Sequence, residues 1–144
     1  MISKTPLTGF KKKFDVVSAF VEHEEKILLL HRQDHKPQGD MWCAPGGKVD
    51  VGESLLGAVA REIAEEVGVF LAPEQYHFFE SYYVRFPEFD FMYHVYRVVL
   101  GSEPKLALNL SEHKDFQWVR PIDALKLNLI QDEDACIKWA YGIK

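Results

Sequence analysis

The sequence predicts an α/β domain in which helices flank a mixed β-sheet. The chain has 144 residues, the size of one ordinary domain, and 47% of them are hydrophobic, which is enough for a single core. Alternating apolar segments predict several strands, and one segment, 54–67, has a strong helical period. Strands and helices do not alternate as in a regular βαβ fold, so the sheet is expected to be mixed. We therefore interpret residues 1–144 as one domain.

The N-terminal part of the chain predicts a β-hairpin followed by a loop. Residues 14–21 (FDVVSAFV) and 26–32 (KILLLHR) have the apolar character of strands, and a polar turn joins them. The segment 33–42 (QDHKPQGDMW) contains Pro and Gly among polar residues, which predicts a loop. This loop leads into the short apolar stretch WCAP and then into Gly46 and Gly47.

Residues 54–67 carry the clearest helix prediction. At about 100° per residue, apolar residues such as Val59 and Ile63 fall on one arc, and the glutamates of the segment fall on another. Ser54 is expected to cap the N-terminus of this helix and Gly68 to end it. Because the apolar arc would pack on the sheet, the acidic arc is expected to face a cleft or solvent.

The C-terminal half predicts a second hairpin, a long polar loop and a closing helix. Residues 76–86 and 91–100 are aromatic and alternating, and the sequence PEFD separates them. A polar loop then leads to a short strand, 116–119 (FQWV), and a helix is expected over about 132–140.

Composition excludes several classes of protein. The formal net charge of −5 argues against a nucleic-acid backbone as a partner, since the one basic run, 11–13, is short. Cys43 and Cys136 have no paired spacing, which argues against a disulfide framework and against a zinc site. No apolar run approaches the length that spans a bilayer, and the first residues lack the pattern of an export signal. We expect a cytoplasmic protein with neither a nucleic-acid nor a membrane partner.

The predicted helix crowds three carboxylates together. Glu62, Glu65 and Glu66 are neighbours at helical spacing, where like charges cost roughly 0.2–0.5 kcal/mol per pair unless a cation offsets the repulsion. Mg²⁺ takes oxygen ligands, usually a few carboxylates together with waters and substrate phosphates. Gly47 would let the backbone approach a metal or a phosphate without a Cβ in the way. A solvated acidic face is the alternative interpretation of the glutamates taken alone.

The 23 residues from Gly47 to Val69, GKVDVGESLLGAVAREIAEEVGV, resemble the signature box of the Nudix hydrolases at every defining position. The resemblance implies an α/β/α sandwich with a mixed central sheet. It also implies metal-dependent hydrolysis of a nucleoside diphosphate linked to another group, with Mg²⁺ as cofactor and Mn²⁺ as a possible substitute. By the same resemblance, the metal is held by the carbonyl of Gly47 and by three glutamates, Glu62, Glu65 and Glu66. Glu53 and Arg61 would form a pair that orients these ligands.

The general base is expected in the sequence SEHKDFQWV, 111–119, which resembles the segment that several members of the family place over the metal. Some members use a glutamate there and others a histidine, and this chain offers both, Glu112 and His113. A base must reach the attacking water through about one hydrogen bond. Both assignments stay open, with Glu112 preferred, and a solvated loop is the alternative.

Further residues are candidates for binding substrate. Arg32 and Lys48 could reach phosphates, or could be solvated strand ends. The aromatic candidates for stacking on a nucleobase are Trp42, Tyr82 and Phe20, although aromatic residues on alternating strands more often form the core. Asp132 could recognise a base edge or cap the last helix.

The preferred substrate is a nucleoside triphosphate, cleaved to a monophosphate and pyrophosphate. A nucleotide sugar or ADP-ribose is the enzymatic alternative, and a nucleotide-sensing module without catalysis is the alternative from another class. Cys43 and Ala44 stand where some oxidised-purine hydrolases of the family carry polar or larger residues, which argues against 8-oxoguanine. The chain is expected to be a monomer or a homodimer with a small-molecule nucleotide as its partner.

Overall fold

The computed structural model describes residues 1–144 and contains eight strands and three helices. The strands are β1 (Ile2–Ser3), β2 (Lys12–His23), β3 (Lys26–Arg32), β4 (Trp42–Cys43), β5 (Gly46–Lys48), β6 (His77–Arg85), β7 (Asp90–Val99) and β8 (His113–Val119). The helices are α1 (Leu55–Val67), α2 (Pro121–Ala124) and α3 (Glu133–Tyr141), and Pro73–Gln75 forms a 3₁₀ turn. The longest helix has 13 residues, and no helix has both the length and the apolar character needed to cross a bilayer.

All strands belong to one mixed sheet, as the sequence predicts. Its main path runs β1-β6-β7-β2-β3-β4, while β5 pairs with β2 and β8 pairs with β3. The central pair, β2 and β7, is parallel, and every other pair is antiparallel. Both predicted hairpins, β2–β3 and β6–β7, are present with ends close to the expected residues.

Helices cover both faces of the sheet because successive residues of β2 point to opposite sides. Val17, Ala19 and Val21 pack in one cluster with Val59 and Ile63 of α1. Phe20 packs on the other face, in a second cluster that includes residues of α3, Cys136, Ile137 and Ala140. The architecture is therefore the α/β/α sandwich that the resemblance implies.

Local signals explain the ends of α1. The Ser54 hydroxyl accepts a hydrogen bond from the backbone N–H of Gly57 at 3.0 Å, which caps the first turn. Gly68 has φ +70°, the left-handed conformation that ends helices, and its N–H donates to the Ala64 carbonyl at 3.0 Å. Both predicted boundaries of this helix are confirmed.

Two expectations about the C-terminal elements need correction. The strand predicted over 116–119 begins at His113, because the polar residues that precede it pair with Arg32 and His31 of β3. The last helix begins at Glu133, and Asp132 precedes it with φ +67° and no capping hydrogen bond from its side chain. Asp132 therefore does not cap α3 as the sequence alternative proposed.

The sheet splits beside the β2–β3 turn, and a cleft opens at this split. Strands β2 and β3 pair only at the two positions next to their turn. Further along, residues 16–18 of β2 pair with β5, while β3 pairs with β8 and β4. The two halves of the sheet diverge, and the space between them is open to side chains from several elements.

Candidate active site

A cleft of about 670 Å³ opens where the sheet splits. This volume lies within the usual range for small-molecule sites. One part of the wall carries charged residues of β5 and α1, and another carries the apolar and aromatic residues Val84, Phe86, Phe91 and Tyr93. The cleft therefore combines a polar end with an apolar end.

Strand β5 lies directly against the acidic arc of α1. A Cβ on Gly47 would lie within 2.5 Å of both carboxylate oxygens of Glu62, so only glycine permits this approach. The backbone N–H of the preceding Gly46 donates to the Glu66 carboxylate at 3.3 Å. The two glycines thus bring backbone and carboxylate groups together at the polar end of the cleft.

Glu66 is a buried carboxylate with little compensation. Its residue is 9% exposed, and the long contact from Gly46 is its one hydrogen bond. Burial raises the pKa of Glu66 well above its ordinary value, and the nearby negative charges of Glu62 and Glu112 raise it further. Burial also raises the pKa of Glu62, although its pairing with Arg61 opposes that shift. A cation in the cleft would compensate the negative charge of both carboxylates and lower their pKa values.

Arg61 binds the remaining carboxylates of this region. Its Nε and Nη2 donate to the two oxygens of Glu53 at 2.7 and 2.9 Å. Its Nη1 donates to Glu62 at 2.9 Å and to Glu65 at 3.2 Å. The hydrogen bonds from Arg61, with a further one from the Asp50 N–H, lower the pKa of Glu53 to about 2. The predicted Glu53–Arg61 pair is present, and Arg61 also donates a hydrogen bond to one carboxylate oxygen of Glu62.

The site fits a hard divalent cation that keeps part of its water shell. No three of the acidic, His and Cys side chains converge on one point, and Glu62 and Glu65 are each hydrogen-bonded to Arg61. Mg²⁺ usually keeps several waters and binds through one or two carboxylates plus phosphates, so it does not need a complete protein cage. The oxygen donors, the buried Glu66 and the close approach of the Gly47 backbone to the Glu62 carboxylate match that chemistry.

The two candidate bases occupy different environments. The Glu112 side chain is 40% exposed at the cleft, where its Oε2 lies 2.9 Å from Lys36 Nζ. His113 is 3% exposed, its Nε2 lies 3.8 Å from Cys43 Sγ, and its Nδ1 has no hydrogen-bond partner. Burial lowers the pKa of His113 to about 4, so this imidazole is neutral and a weak base at pH 7. The geometry favours Glu112.

Three predicted substrate residues line the cleft. The Nε of Arg32 donates to the Pro37 carbonyl at 2.8 Å, which fixes the guanidinium at the polar end. Lys48 also lines the cleft, with its Nζ 4.3 Å from the centre of the Phe14 ring. Asp132 lies at the apolar end, where its carboxylate accepts a hydrogen bond from the Gln131 side chain at 3.2 Å.

The predicted stacking role of three aromatic residues does not fit their positions. Tyr82 is completely buried and stacks on Trp139 with ring centres 4.9 Å apart. Phe20 is 1% exposed and belongs to the core. Trp42 stacks on His31 at 4.2 Å, outside the lining of the cleft. None of these three side chains lines the cleft, and Tyr82 and Phe20 belong to the core between the sheet and α3.

The structure adds a buried acid that the sequence analysis missed. Glu133, the first residue of α3, is 2% exposed and lines the apolar end of the cleft. Its Oε1 accepts a hydrogen bond from the Ala44 N–H at 2.6 Å, while its Oε2 has no partner. Burial raises its pKa to about 7. In sequence it resembles any acidic residue in the first turn of a helix, so only its contact with the distant Ala44 reveals it.

The loop after β3 supplies two further residues that sequence analysis did not identify. Lys36 and Gln38 line the cleft although they belong to a polar loop with no recognisable motif. A lysine next to proline gives no signal by itself, because solvated lysines are common in such loops. Its position depends on contacts between this loop and the segment before β8.

The family assignment follows from a match over most of the chain. The sequence profile described as the NUDIX domain matches residues 12–140, which include all of the charged residues that line the cleft. The chain belongs to the Nudix family. The box at Gly47–Val69 therefore occupies, in this Nudix domain, the strand and helix that form the polar end of the cleft.

Named relatives and solved structures agree with this assignment. The CTP pyrophosphohydrolase of Escherichia coli is 41% identical over 58 residues, which cover 40% of this chain and 43% of that protein. The match therefore spans less than half of the relative's length. The NUDIX domain of Shewanella oneidensis NrtR, complexed with ADP ribose, has a TM-score of 0.78 at 23% identity, covering 96% of this chain and 92% of that one.

A second similar structure was solved with a nucleotide and a metal. It is a bifunctional NMN adenylyltransferase/ADP ribose pyrophosphatase from Francisella tularensis, complexed with AMP and a Mn ion. It has a TM-score of 0.72 at 24% identity, covering 93% of this chain and 42% of that one. At these identities, both structural neighbours show a shared fold.

Proposed function

We propose that this Nudix protein is a Mg²⁺-dependent pyrophosphohydrolase that splits a diphosphate bond in a nucleoside diphosphate linked to another group. The observation that carries the proposal is the meeting of β5 and α1, where the Gly47 backbone lies against the Glu62 carboxylate and the buried Glu66 has no salt bridge within the protein. Glu62, Glu65, Glu66 and the Gly47 carbonyl are the groups that would hold the ion. Mn²⁺ is the substitute that we expect to support the reaction.

The residues around the cleft suit hydrolysis at phosphorus. The chemistry that a bound Mg²⁺ supplies is neutralisation of charge on the phosphate oxygens. Glu112, which faces the cleft, accepts a proton from a water molecule whose oxygen bonds to phosphorus. The bridging P–O bond breaks, and its electron pair leaves with the departing phosphate. Arg32 and Lys48 compensate the negative charge of the substrate, and Arg61 fixes the orientation of its acidic neighbours.

A nucleoside triphosphate is the preferred substrate class. Three cationic side chains, Arg32, Lys36 and Lys48, line the cleft, and they suit a chain of phosphates better than a single one. The apolar end, with Phe91, Tyr93 and the partly unsatisfied Glu133, suits a nucleobase. The name of the E. coli relative, a CTP pyrophosphohydrolase, supports this class.

ADP-ribose or a nucleotide sugar is the second candidate substrate. The observation in its favour is the ADP ribose bound to the NUDIX domain of NrtR, whose fold this chain shares. Such a substrate would place its second sugar, and no terminal phosphate, beside Lys36. The oligomeric state, monomer or homodimer, and the cytoplasmic location stay predictions.

The test is a panel of nucleoside triphosphates, ADP-ribose and nucleotide sugars, each with and without Mg²⁺. We expect one class to be hydrolysed, only with metal, and Glu66→Gln to lower kcat by at least about a hundredfold because it removes a charge from the cation site. The matched control is Glu74→Gln, which changes an exposed glutamate of the 3₁₀ turn and should keep full activity. If nothing is hydrolysed while nucleotides still raise the melting temperature, the sensing-module alternative replaces the enzyme.

A further inference from the structure

The loop between β3 and β4, residues 33–40, is held against the segment that precedes and begins β8. The backbone N–H of Gln33 donates to the Glu112 carbonyl at 3.0 Å. The ammonium group of Lys114 lies 2.7 and 2.8 Å from the carboxylates of two loop residues, Asp34 and Asp40. These contacts join the loop to Glu112, the candidate base, and to Lys114, which follows it by two residues.

The loop has a defined and strained shape. Gln38 and Asp40 have φ +53° and +61°, a left-handed conformation that costs about 1–3 kcal/mol for residues other than glycine. Gln38 also reaches across the cleft, where its side-chain oxygen accepts a hydrogen bond from the Gln131 N–H at 2.7 Å. Because the surrounding contacts enforce this shape, the loop presents Lys36 to the cleft.

Lys36 forms an ion pair with the candidate base. Its Nζ lies 2.9 Å from Glu112 Oε2, and Glu112 is the one acidic group within salt-bridge distance of it. The two side chains are 28% and 40% exposed, and an ion pair of that exposure contributes only about 0–1 kcal/mol. A terminal phosphate in the cleft offers the ammonium group a charge of about −1.5 to −2, against −1 for the carboxylate. The ion pair can therefore be exchanged at little cost.

We propose that Lys36 is a positioning residue that exchanges Glu112 for the terminal phosphate of the substrate. In the free protein Lys36 holds the Glu112 carboxylate. When a terminal phosphate binds, Lys36 moves its hydrogen bond to that phosphate, and Glu112 becomes free to accept a proton from the attacking water. The inference rests on the proposed function and deepens it, because it couples substrate binding to the availability of the base.

The same exchange selects a substrate class. A terminal phosphate carries a charge of about −1.5 to −2 at pH 7 and exposes three acceptor oxygens. The second phosphate of ADP-ribose or a nucleotide sugar is esterified, so it carries less charge and its outer face is occupied by a sugar. The two ends of the cleft belong to different parts of the sheet: β7 and β8 are separated by three strand pairings, a path of roughly 14 Å along the sheet. A base at the aromatic end leaves a phosphate chain pointing toward Lys36.

Binding of inorganic triphosphate in the presence of Mg²⁺, measured by calorimetry, tests the exchange without any choice of nucleobase. Lys36→Met should weaken binding by about tenfold, since it removes a charged hydrogen bond, and Lys36→Arg should restore most of the affinity. Glu112→Gln should tighten binding by about two- to fivefold, because the phosphate no longer competes with an ion pair. In the Lys36→Met background, Glu112→Gln should change the affinity by less than about twofold.

The control is Lys126→Met, which removes a lysine paired with one exposed acid, Asp123, outside the cleft lining. It should bind triphosphate like the wild type. If Glu112→Gln tightens binding equally with and without Lys36, or if the wild type does not bind triphosphate at millimolar concentration, the exchange is wrong. Binding and turnover are measured separately. If a substrate of the panel is hydrolysed but Lys36→Met does not change triphosphate binding, this inference alone is wrong. If no substrate is hydrolysed, the proposed function alone is wrong.

Steady-state kinetics provides a second test. If Lys36 had only a structural role, its substitution would not change KM for one substrate class and leave it unchanged for the other. Lys36→Met should raise KM for a nucleoside triphosphate by about tenfold and change kcat by less than about threefold. For ADP-ribose the same variant should leave KM unchanged within about twofold. An equal rise in KM for both substrate classes contradicts the selection of a terminal phosphate.

Discussion

Arg61 divides the acidic residues of α1 into two electrostatic environments. Its guanidinium donates to Glu53, Glu62 and Glu65, so these carboxylates have a positive partner. Glu66 lies one residue further along the helix but is buried and has only a weak backbone donor. Arg61 therefore offsets part of the repulsion among the glutamates of α1. The charge of Glu66 is the one that the proposed cation would compensate.

Glu133 is a second buried acid, and it makes folding stability depend on pH. Burial raises its pKa to about 7 in the folded state, with a further contribution from the charge of Asp134, while the hydrogen bond from the Ala44 N–H opposes the shift. In the unfolded chain its pKa is near the ordinary 4.5. Between pH 4.5 and 7 the unfolded state loses this proton first, so the free energy of unfolding falls as pH rises.

Below pH 4.5, protonated Glu133 is expected to contribute about 3 kcal/mol to the free energy of unfolding. This contribution is lost as the pH rises from 4.5 to 7. Glu133→Gln keeps the acceptor for the Ala44 N–H and cannot ionise, so it should flatten this part of the stability profile. Urea unfolding of the metal-free protein at several pH values measures the effect. A Glu133→Gln profile as steep as that of the wild type would show that other groups cause the slope.

At the scale of elements, β5 and α1 form one functional unit although a loop separates them in sequence. The two glycines of β5 meet different neighbours. A Cβ on Gly46 would approach backbone atoms of Val17 and Ser18, whereas a Cβ on Gly47 would approach the end of the Glu62 side chain. Backbone cannot move away easily, but a carboxylate can rotate. The same chemical change at adjacent positions should therefore have different consequences.

We expect Gly46→Ala to destabilise the fold by about 1–3 kcal/mol, as overpacking does. Gly47→Ala should keep the melting temperature within about 3 °C but lower kcat/KM by at least about tenfold, because Glu62 is displaced from its site. Gly101→Ala is the matched control, since its Cβ would meet nothing within 4 Å. Thermal melts and kinetics of the three variants separate packing from function, and full activity in Gly47→Ala would remove Glu62 from the proposed site.

At the scale of the whole molecule, the cleft depends on how the strands diverge. Residues from β3, β5, β7, α1 and α3 meet there because β2 leaves β3 to pair with β5. The parallel pairing of β2 with β7 puts the aromatic wall on one side, and β8 puts Glu112 and His113 on the other. The site is therefore a property of the complete sheet.

A ligand that binds this folded cleft should stabilise the entire domain. At a Mg²⁺ concentration ten times its Kd, the gain is about 1.4 kcal/mol, which corresponds to a rise of roughly 3–5 °C in Tm for a domain of this size. Glu66→Gln should lose most of this rise, whereas Glu74→Gln should keep it. Differential scanning calorimetry with millimolar Mg²⁺ and in metal-free buffer makes the comparison, and an unchanged wild-type Tm contradicts the cation site.

Local pattern was sufficient for the elements and for the polar end of the site. Helical spacing, the Ser54 cap and the αL position of Gly68 act over a few residues, so α1 and its glutamates could be read from the sequence alone. The start of β8 could not be predicted from the sequence, because its polar residues form a strand only through pairing with β3. Aromatic alternation predicted strands correctly but could not distinguish the core Tyr82 from the cleft-lining Tyr93.

The remaining features arise from contacts between segments that are distant in sequence. Glu133 meets Ala44 across 89 positions, and Lys36 meets Glu112 only because their loops lie side by side at the split in the sheet. Periodicity and spacing describe what one segment does by itself, and they carry no information about which other segment will pack against it. The family is therefore recognisable from one box of residues, while the shape of the cleft, its buried Glu133 and the pairing of Lys36 with Glu112 depend on tertiary packing.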